Sequence, residues 1–219
     1  MPRSKREKDV SLTKVTKKTR ERKINLIEEI RKAIDYYQTC FVFNVENMRS
    51  NKFVMIRQKF KDNSRLFFGR NTLMAMSLGK DSSHERAKDL AKVTALLKGD
   101  CGLMFTNADR EAVVDFFKTY EEHDFARSGQ IASVSVDLSQ GALPNFSFTL
   151  EPQMRRLGLP TKLEKGVVTL LSDYRICKEG DKLNAEQAKL LKLLGYKISV
   201  FKINLIGQWT KSDGFKYLF

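Results

Sequence analysis

Arg65-Leu66-Phe67-Phe68-Gly69-Arg70-Asn71-Thr72-Leu73-Met74-Ala75-Met76-Ser77-Leu78 changes its pattern halfway along. Leu66 to Phe68 is a short apolar run, the mark of a buried strand, and Gly69 breaks it. Asn71 or Thr72 is then placed to cap a helix whose apolar positions are Leu73, Met74 and Met76. Between strand and helix stands a single cation, Arg70. A strand-to-helix turn aims free backbone N–H groups outward, and a guanidinium beside them makes an anion site, most simply for phosphate. Alone, the same residues also describe an ordinary turn with a solvated arginine. The surrounding sequence decides between the two.

On the N-terminal side the pattern is helical from Ile24, with Ile27, Ile30, Ile34 and Tyr37 recurring at three- and four-residue steps. Cys40-Phe41-Val42-Phe43-Asn44-Val45 is a buried-strand run. Ser50 or Asn51 opens a second helix with Phe53, Ile56 and Phe60 inward and Lys52, Arg57, Lys59 and Lys61 mostly elsewhere. On the C-terminal side, residues 85 to 97 predict a helix that buries Leu90, Val93 and Leu97. Cys101-Gly102-Leu103-Met104-Phe105 is a third core strand. Thr106-Asn107-Ala108-Asp109 reads as a good capping box for a helix burying Val113, Phe116, Phe117 and Tyr120. Short apolar strands alternating with amphipathic helices predict an α/β sandwich, a central mixed sheet flanked by helices.

The texture changes near His123. Ala132, Val134, Val136 and Leu138 alternate with polar residues, as a half-exposed strand does. Prolines and glycines then cluster at Gly141, Pro144, Pro152, Gly158, Pro160 and Gly166. Val167 to Leu171 is a further strand, and Asn184-Ala185-Glu186-Gln187 caps a helix carrying Leu190, Leu191 and Leu194, closed by Gly195. Residues 124–196 thus form a smaller α/β unit interrupting the first domain. That domain holds residues 24–123 and is completed by 197–219, where Lys197 to Ile206 is a long apolar-rich strand. Residues 1–23 precede it as a basic, flexible arm.

The 219 residues carry a net charge of +14, an excess that points to a polyanionic partner. Residues 1 to 24 hold ten Lys or Arg against three Asp or Glu, a net of +7. The remainder is therefore also +7, so the body is basic in its own right. Nucleic acid is the first candidate and an anionic membrane surface the second. The arm reads as a solubilising tail, a nuclear localisation signal, or an RNA-binding segment that orders on contact. Cys40, Cys101 and Cys177 are far apart and beside apolar neighbours, and His84 and His123 stand alone. This pattern suits buried thiols in a reducing compartment rather than metal ligands. No apolar run approaches a membrane span, and a soluble intracellular protein is expected.

Catalysis finds little to hold. No Walker-type loop, dinucleotide fingerprint or nucleophile elbow occurs. Gly99-Asp100-Cys101-Gly102 fits the GxxG of KH domains, yet a strand follows where that motif needs a helix. Asp173, Glu179 and Asp181 are near enough in sequence to hold a cation, and turn residues around a hairpin explain them better. No catalytic residue, metal or cofactor is expected.

Phe68-Gly69-Arg70-Asn71-Thr72-Leu73-Met74 resembles the Gly-Lys-Asn-Thr turn of the ribosomal stalk-base protein family, the large-subunit protein that anchors the acidic stalk. Gly102-Leu103-Met104-Phe105-Thr106-Asn107 resembles that family's next core strand. Ala126-Arg127-Ser128-Gly129 is similar to the junction at which eukaryotic and archaeal members enter an inserted domain. Gly158-Leu159-Pro160-Thr161-Lys162 and Gly166-Val167-Val168-Thr169-Leu170-Leu171-Ser172-Asp173 are similar to the body of that insertion. The resemblance runs from about Ile24 to Ile206, in the family's order. Arg70 stands where the family commonly has Lys.

Within the family, Met1-Pro2-Arg3-Ser4-Lys5-Arg6, Ser11-Leu12-Thr13-Lys14, Leu159-Pro160-Thr161 and Cys177-Lys178-Glu179-Gly180-Asp181 resemble a ribosome-assembly relative rather than the mature stalk protein. The mature protein's stalk-dimer helices and acidic tail have no counterpart here, so binding of acidic stalk dimers is not expected. The resemblance implies a factor that binds large-subunit rRNA at the stalk base, among the proteins of a pre-ribosomal particle. It would act in the nucleus and nucleolus, with shuttling to the cytoplasm, as a placeholder for the stalk-base protein. The alternative is a mature stalk-base protein truncated before its acidic tail. A monomer is expected when free, with no membrane partner. The residues placed to bind RNA are Lys17, Lys18, Arg20 and Lys23 of the arm and Lys52, Arg57 and Lys61 on or after the second helix. The turn adds Arg65, Gly69, Arg70, Asn71 and Thr72.

Overall fold

The computed structural model describes residues 20–79 and 85–218. Lys17, Lys18 and the rest of the expected arm up to residue 19 lie outside the described residues, as does His84. The chain divides into two compact units. One holds the residues up to Phe43, Lys61–Ala108 and those from Leu205 on, and the other holds Asn44–Phe60 and Asp109–Asn204.

In the first unit, helix α1 spans Arg20–Tyr36 and buries Ile30, Ala33 and Ile34, three positions on one face of a 3.6-residue period. It includes Arg20 and Lys23, which the sequence pattern had assigned to the arm. Strand β1 (Thr39–Glu46) follows, with Cys40 to Phe43 fully enclosed, as a continuous apolar run requires. Strand β2 (Ser64–Phe67) pairs antiparallel with β3 (Cys101–Thr106), Phe67 opposite Leu103 and Leu66 opposite Met104. Helix α3 (Asn71–Leu78) packs on α1. Its buried face is Met74, Ser77 and Leu78, while Met76 is 53% exposed and Leu73 half-buried. The expected Leu73–Met74–Met76 face is thus rotated, and the Ser77 hydroxyl is accommodated by donating to the Met74 carbonyl at 2.6 Å.

The helix expected over 85–97 is shortened to α4, Leu90–Ala95. Asp89 has φ +68°, a left-handed conformation no helix interior holds, and the Trp209 indole N–H donates to the Lys88 carbonyl at 2.8 Å. The apolar positions survive the shortening. Leu90, Val93 and Leu97 join Ile30, Met74, Leu103, Phe105 and Trp209 in one core. Arg86 grips Asp35 at the end of α1 with two hydrogen bonds, of 3.2 and 2.7 Å, which hold that carboxyl below its ordinary pKa.

In the second unit, α2 (Ser50–Lys59) buries Phe53 and Ile56. The helix opens at Ser50, as expected, and the residue before it, Arg49, is extended and makes no side-chain cap. The expected box starting at Thr106 does not form: α5 (Arg110–Thr119) begins later and is capped by Asp109 itself, whose carboxylate accepts from the Ala112 N–H at 3.2 Å, while the Thr106 hydroxyl accepts from the Ala108 N–H at 2.9 Å. The helix buries Val113 and Phe117, with Phe116 and Tyr120 half-buried. Strand β4 (Glu121–Asp124) pairs antiparallel with β10 (Ser199–Thr210).

Beyond β4 the second unit has a cluster of its own, with Met154, Val168, Leu170 and Leu191 fully enclosed. β5 (Val136–Leu138) pairs with β9 (Tyr174–Cys177), and β6 (Gly141–Ala142), β8 (Val167–Leu170) and β7 (Thr161–Glu164) form a three-stranded sheet in that order. The alternating stretch from Ala132 is a strand only from Val136 on. Helix α6 covers Glu151–Arg156, and α7 (Ala185–Leu193) opens with the expected capping box of Asn184 and Gln187.

The main sheet runs β11-β10-β1-β3-β2, with β4 also on β10 and β11 being Gly214–Tyr217. A central mixed sheet flanked by helices was expected. In the sheet β3 lies between β1 and β2, and the β2–β3, β10–β11 and β10–β4 ladders are antiparallel.

The reason for Gly102 in β3 is steric. A Cβ there would lie 2.4 Å from the Phe43 ring and 2.6 Å from the carbonyl oxygen of Phe67, a backbone atom that cannot swing aside. Gly102→Ala is therefore expected to destabilise the protein by about 1–3 kcal/mol through overpacking, read as a lower denaturant midpoint. An unchanged midpoint would show that the end of β2 is free to move.

Candidate nucleic-acid interface

β2 ends at Phe67, and the chain turns through Phe68 and Gly69 into α3. Gly69 is needed neither for a left-handed conformation nor to avoid a clash. A Cβ there would meet Leu26 of α1 at 3.4 Å, ordinary contact distance. Arg70 is the residue outside the first turn of α3, extended at φ −68° and ψ 126°. Its carbonyl accepts from the N–H groups of Leu73 and Met74, at 2.9 and 3.2 Å. The N–H groups of Asn71 and Thr72 have no acceptor among the described residues, as the open end of a helix predicts. The Arg70 side chain is exposed and has no partner among the described residues. A cation thus stands beside unpaired donors at a helix N-terminus, an arrangement that suits an anion.

Neither Asn71 nor Thr72 caps the helix. Asn71 is half-buried, and its amide donates to the Gly99 carbonyl at 2.9 Å. Thr72 is exposed.

The other expected cations divide by what they already touch. Arg20 and Lys23 are exposed on the first turns of α1, and Lys61 is exposed with no partner among the described residues. Arg65 pairs with Glu29 at 2.9 Å, both about half exposed, a contact that phosphate can displace at little cost. Arg57, in the second unit, is exposed and lies over the Phe53 ring at 4.8 Å. Lys52 is spent within the protein. Its ammonium bonds to Glu122 at 2.5 Å, and that hydrogen bond raises its pKa above the ordinary lysine value. Glu122 is seventy positions away in a polar strand with no apolar signature, so sequence pattern alone had no means of finding this pair.

Among the described residues no group of His, Cys, Asp and Glu is placed to hold a metal ion. The three thiols are buried, and burial raises the pKa of each, that of Cys40 most. A buried protonated thiol is a poor nucleophile. Asp173 accepts from the Gln140 N–H at 2.7 Å, a contact between segments 33 positions apart. No described helix is long and apolar enough to cross a membrane. What the exposed surface around the turn does offer is positive charge and backbone donors.

Residues 18–122 match the family profile of ribosomal protein L10, and residues 126–196 match that of the insertion domain in the 60S ribosomal protein of the same L10 type. A ribosome assembly factor mrt4 of Neurospora crassa is 40% identical, over 98% of this chain and 92% of its own length. One from Dictyostelium discoideum is 37% identical over 97% and 95%, and the ribosome assembly factor MRT4 of Saccharomyces cerevisiae is 32% identical over 94% and 92%. An L10-type core with a basic strand-to-helix turn, matched by these relatives over 94–98% of the chain, gives the conclusion: the chain belongs to the ribosomal protein L10 family, among its mrt4 ribosome assembly factors.

Proposed function

We propose that this protein is a large-subunit ribosome assembly factor that binds the stalk-base region of large-subunit rRNA in pre-ribosomal particles and holds it as a placeholder for the stalk-base protein. The observation that carries the reading is the pairing of an L10-type domain with an exposed basic turn at Gly69–Thr72, where the Arg70 side chain and the Asn71 and Thr72 N–H groups have no partner among the described residues. The relatives that span the chain are assembly factors, which disfavours the reading as a mature stalk protein. Residues 124–196 are the inserted domain, and 24–123 with 197–219 are the RNA-binding domain around it. The mechanism is occupancy rather than chemistry: no bond is made or broken, and the site is kept until exchange. The free protein is a monomer, acting in the nucleus and nucleolus and travelling with the particle towards the cytoplasm.

Binding of a stalk-base rRNA fragment tests this. Arg20, Lys23, Lys61, Arg65 and Arg70 are exposed cations, so several phosphates are neutralised on binding. Each adds about 0.7–0.9 to the slope of log affinity against log salt. A steep fall across a salt series, with preference for the fragment over an unrelated duplex of equal length, is expected. Binding that ignores salt, or that treats both RNAs alike, would count against recognition of a folded site.

A further inference from the structure

Asn71 is placed in the turn, yet both ends of its side-chain amide are engaged elsewhere. Its nitrogen donates to the Gly99 carbonyl at 2.9 Å, and its oxygen accepts from the Cys101 thiol at 3.5 Å. The α4–β3 loop is therefore tied to the Gly69–Thr72 turn by one side chain. At the crest of that loop Lys98 is exposed, with no side-chain partner among the described residues. Its backbone N–H closes a tight turn onto the Leu96 carbonyl at 2.8 Å. Gly99 has φ +71° with open space where a Cβ would stand, so the loop projects outward. Leu26 against Gly69 brings a third element to the same place, and Lys23 lies three residues before Leu26 on the same face of α1. The nearest opposing charge in the loop is the exposed Asp100, beyond Gly99.

We propose that Lys98 is a further phosphate-binding residue of this interface and that Asn71 is the positioning residue that holds the Lys98 loop against the turn. The inference rests on the RNA-binding reading above and adds a contact point that strand and helix patterns do not reveal. Arg70, Lys98 and Lys23 then come from three separate elements and meet one RNA backbone. Asn71 acts without touching it.

The test measures the affinity of the stalk-base rRNA fragment over a salt series for wild type, Lys98→Ala, Asn71→Ala and the double variant. Lys98→Ala is expected to weaken binding to every RNA in similar proportion and to reduce the salt slope by about one. Asn71→Ala should reproduce most of that loss in the wild-type background and add little to Lys98→Ala, because both remove one contact. Wild-type affinity and slope for Lys98→Ala would overturn the proposal. So would an Asn71→Ala loss that is undiminished in the Lys98→Ala background. Lys98 is exposed, so its variant keeps the test decisive even where Asn71→Ala lowers the melting temperature. Failure of wild type to select the fragment would instead overturn the RNA-binding reading itself. Selection that depends on Arg70 but not on Lys98 would sink this inference alone.

Discussion

Arg70→Glu is expected to bind the stalk-base rRNA fragment no better than it binds an unrelated duplex, with affinity for the fragment down on the order of a hundredfold or more. The size follows from inverting a charge rather than deleting one. A lost phosphate contact is replaced by a carboxylate facing phosphate, beside the N–H groups that should receive it. The fold has no reason to suffer. The Arg70 side chain is exposed, and its backbone at φ −68° and ψ 126° is one that glutamate adopts freely. A negative charge at the start of α3 even favours the helix. An unchanged melting temperature with lost selectivity is therefore the expected pair of results.

Removing residues 1–19 is the contrasting control, since a cut at that point leaves α1 whole from Arg20. It should weaken binding to both RNAs alike and flatten the salt dependence, because charge neutralised on phosphate carries no sequence information. An Arg70→Glu protein that still prefers the fragment would remove the turn from the centre of recognition.

How far the sequence alone carried this reading depends on where each determinant lies. The apolar runs of β1 and β3 were plain because Cys40 to Phe43 and every side chain of β3 are enclosed, so no alternation dilutes the pattern. The capping box of α7 was equally plain, since Asn184 and Gln187 satisfy each other within one turn. Arg70 stood out as a lone cation between two apolar elements, which is a local property too. What escaped were features decided at long range. Asp89 breaks the expected helix next to Lys88, whose carbonyl is held by Trp209, 121 positions away. β4 is a strand made of Glu121, Glu122, His123 and Asp124, joined to β10 by backbone bonds that no side-chain period announces.

The site was legible in the same uneven way. Arg70 keeps the open position expected of it, whereas Lys52 is turned to Glu122 and Asn71 to Gly99. Position on a helix gives the direction of a side chain, and only the fold gives its partner. A cation chosen for its place in the sequence is therefore a candidate until its neighbours from other elements are known. Lys98 shows the converse: an unremarkable lysine after a helix gains a role once Asn71 ties its loop to the turn.

Pre-ribosomal particles purified through this protein are expected to lack the stalk-base protein, and in vitro that protein should displace this chain from the rRNA fragment one for one. Residues 18–122 match ribosomal protein L10, so under the proposed function both proteins would dock the same kind of domain on the RNA. One RNA fold cannot dock two such domains at once, and complexes containing both should be absent rather than merely scarce. Competition also fixes how affinity enters. A placeholder of the proposed kind would bind well enough to hold the site early and weakly enough to yield it later, so exchange would be set by relative occupancy and the rate of release. Salt sharpens the assay, because loss of a few phosphate contacts shifts both equilibria steeply. Arg70→Glu supplies the internal control: it should be displaced at far lower concentrations of competitor than wild type. Both proteins at full stoichiometry on one particle would falsify the placeholder mechanism, and a ternary complex on the isolated fragment would show that their footprints differ.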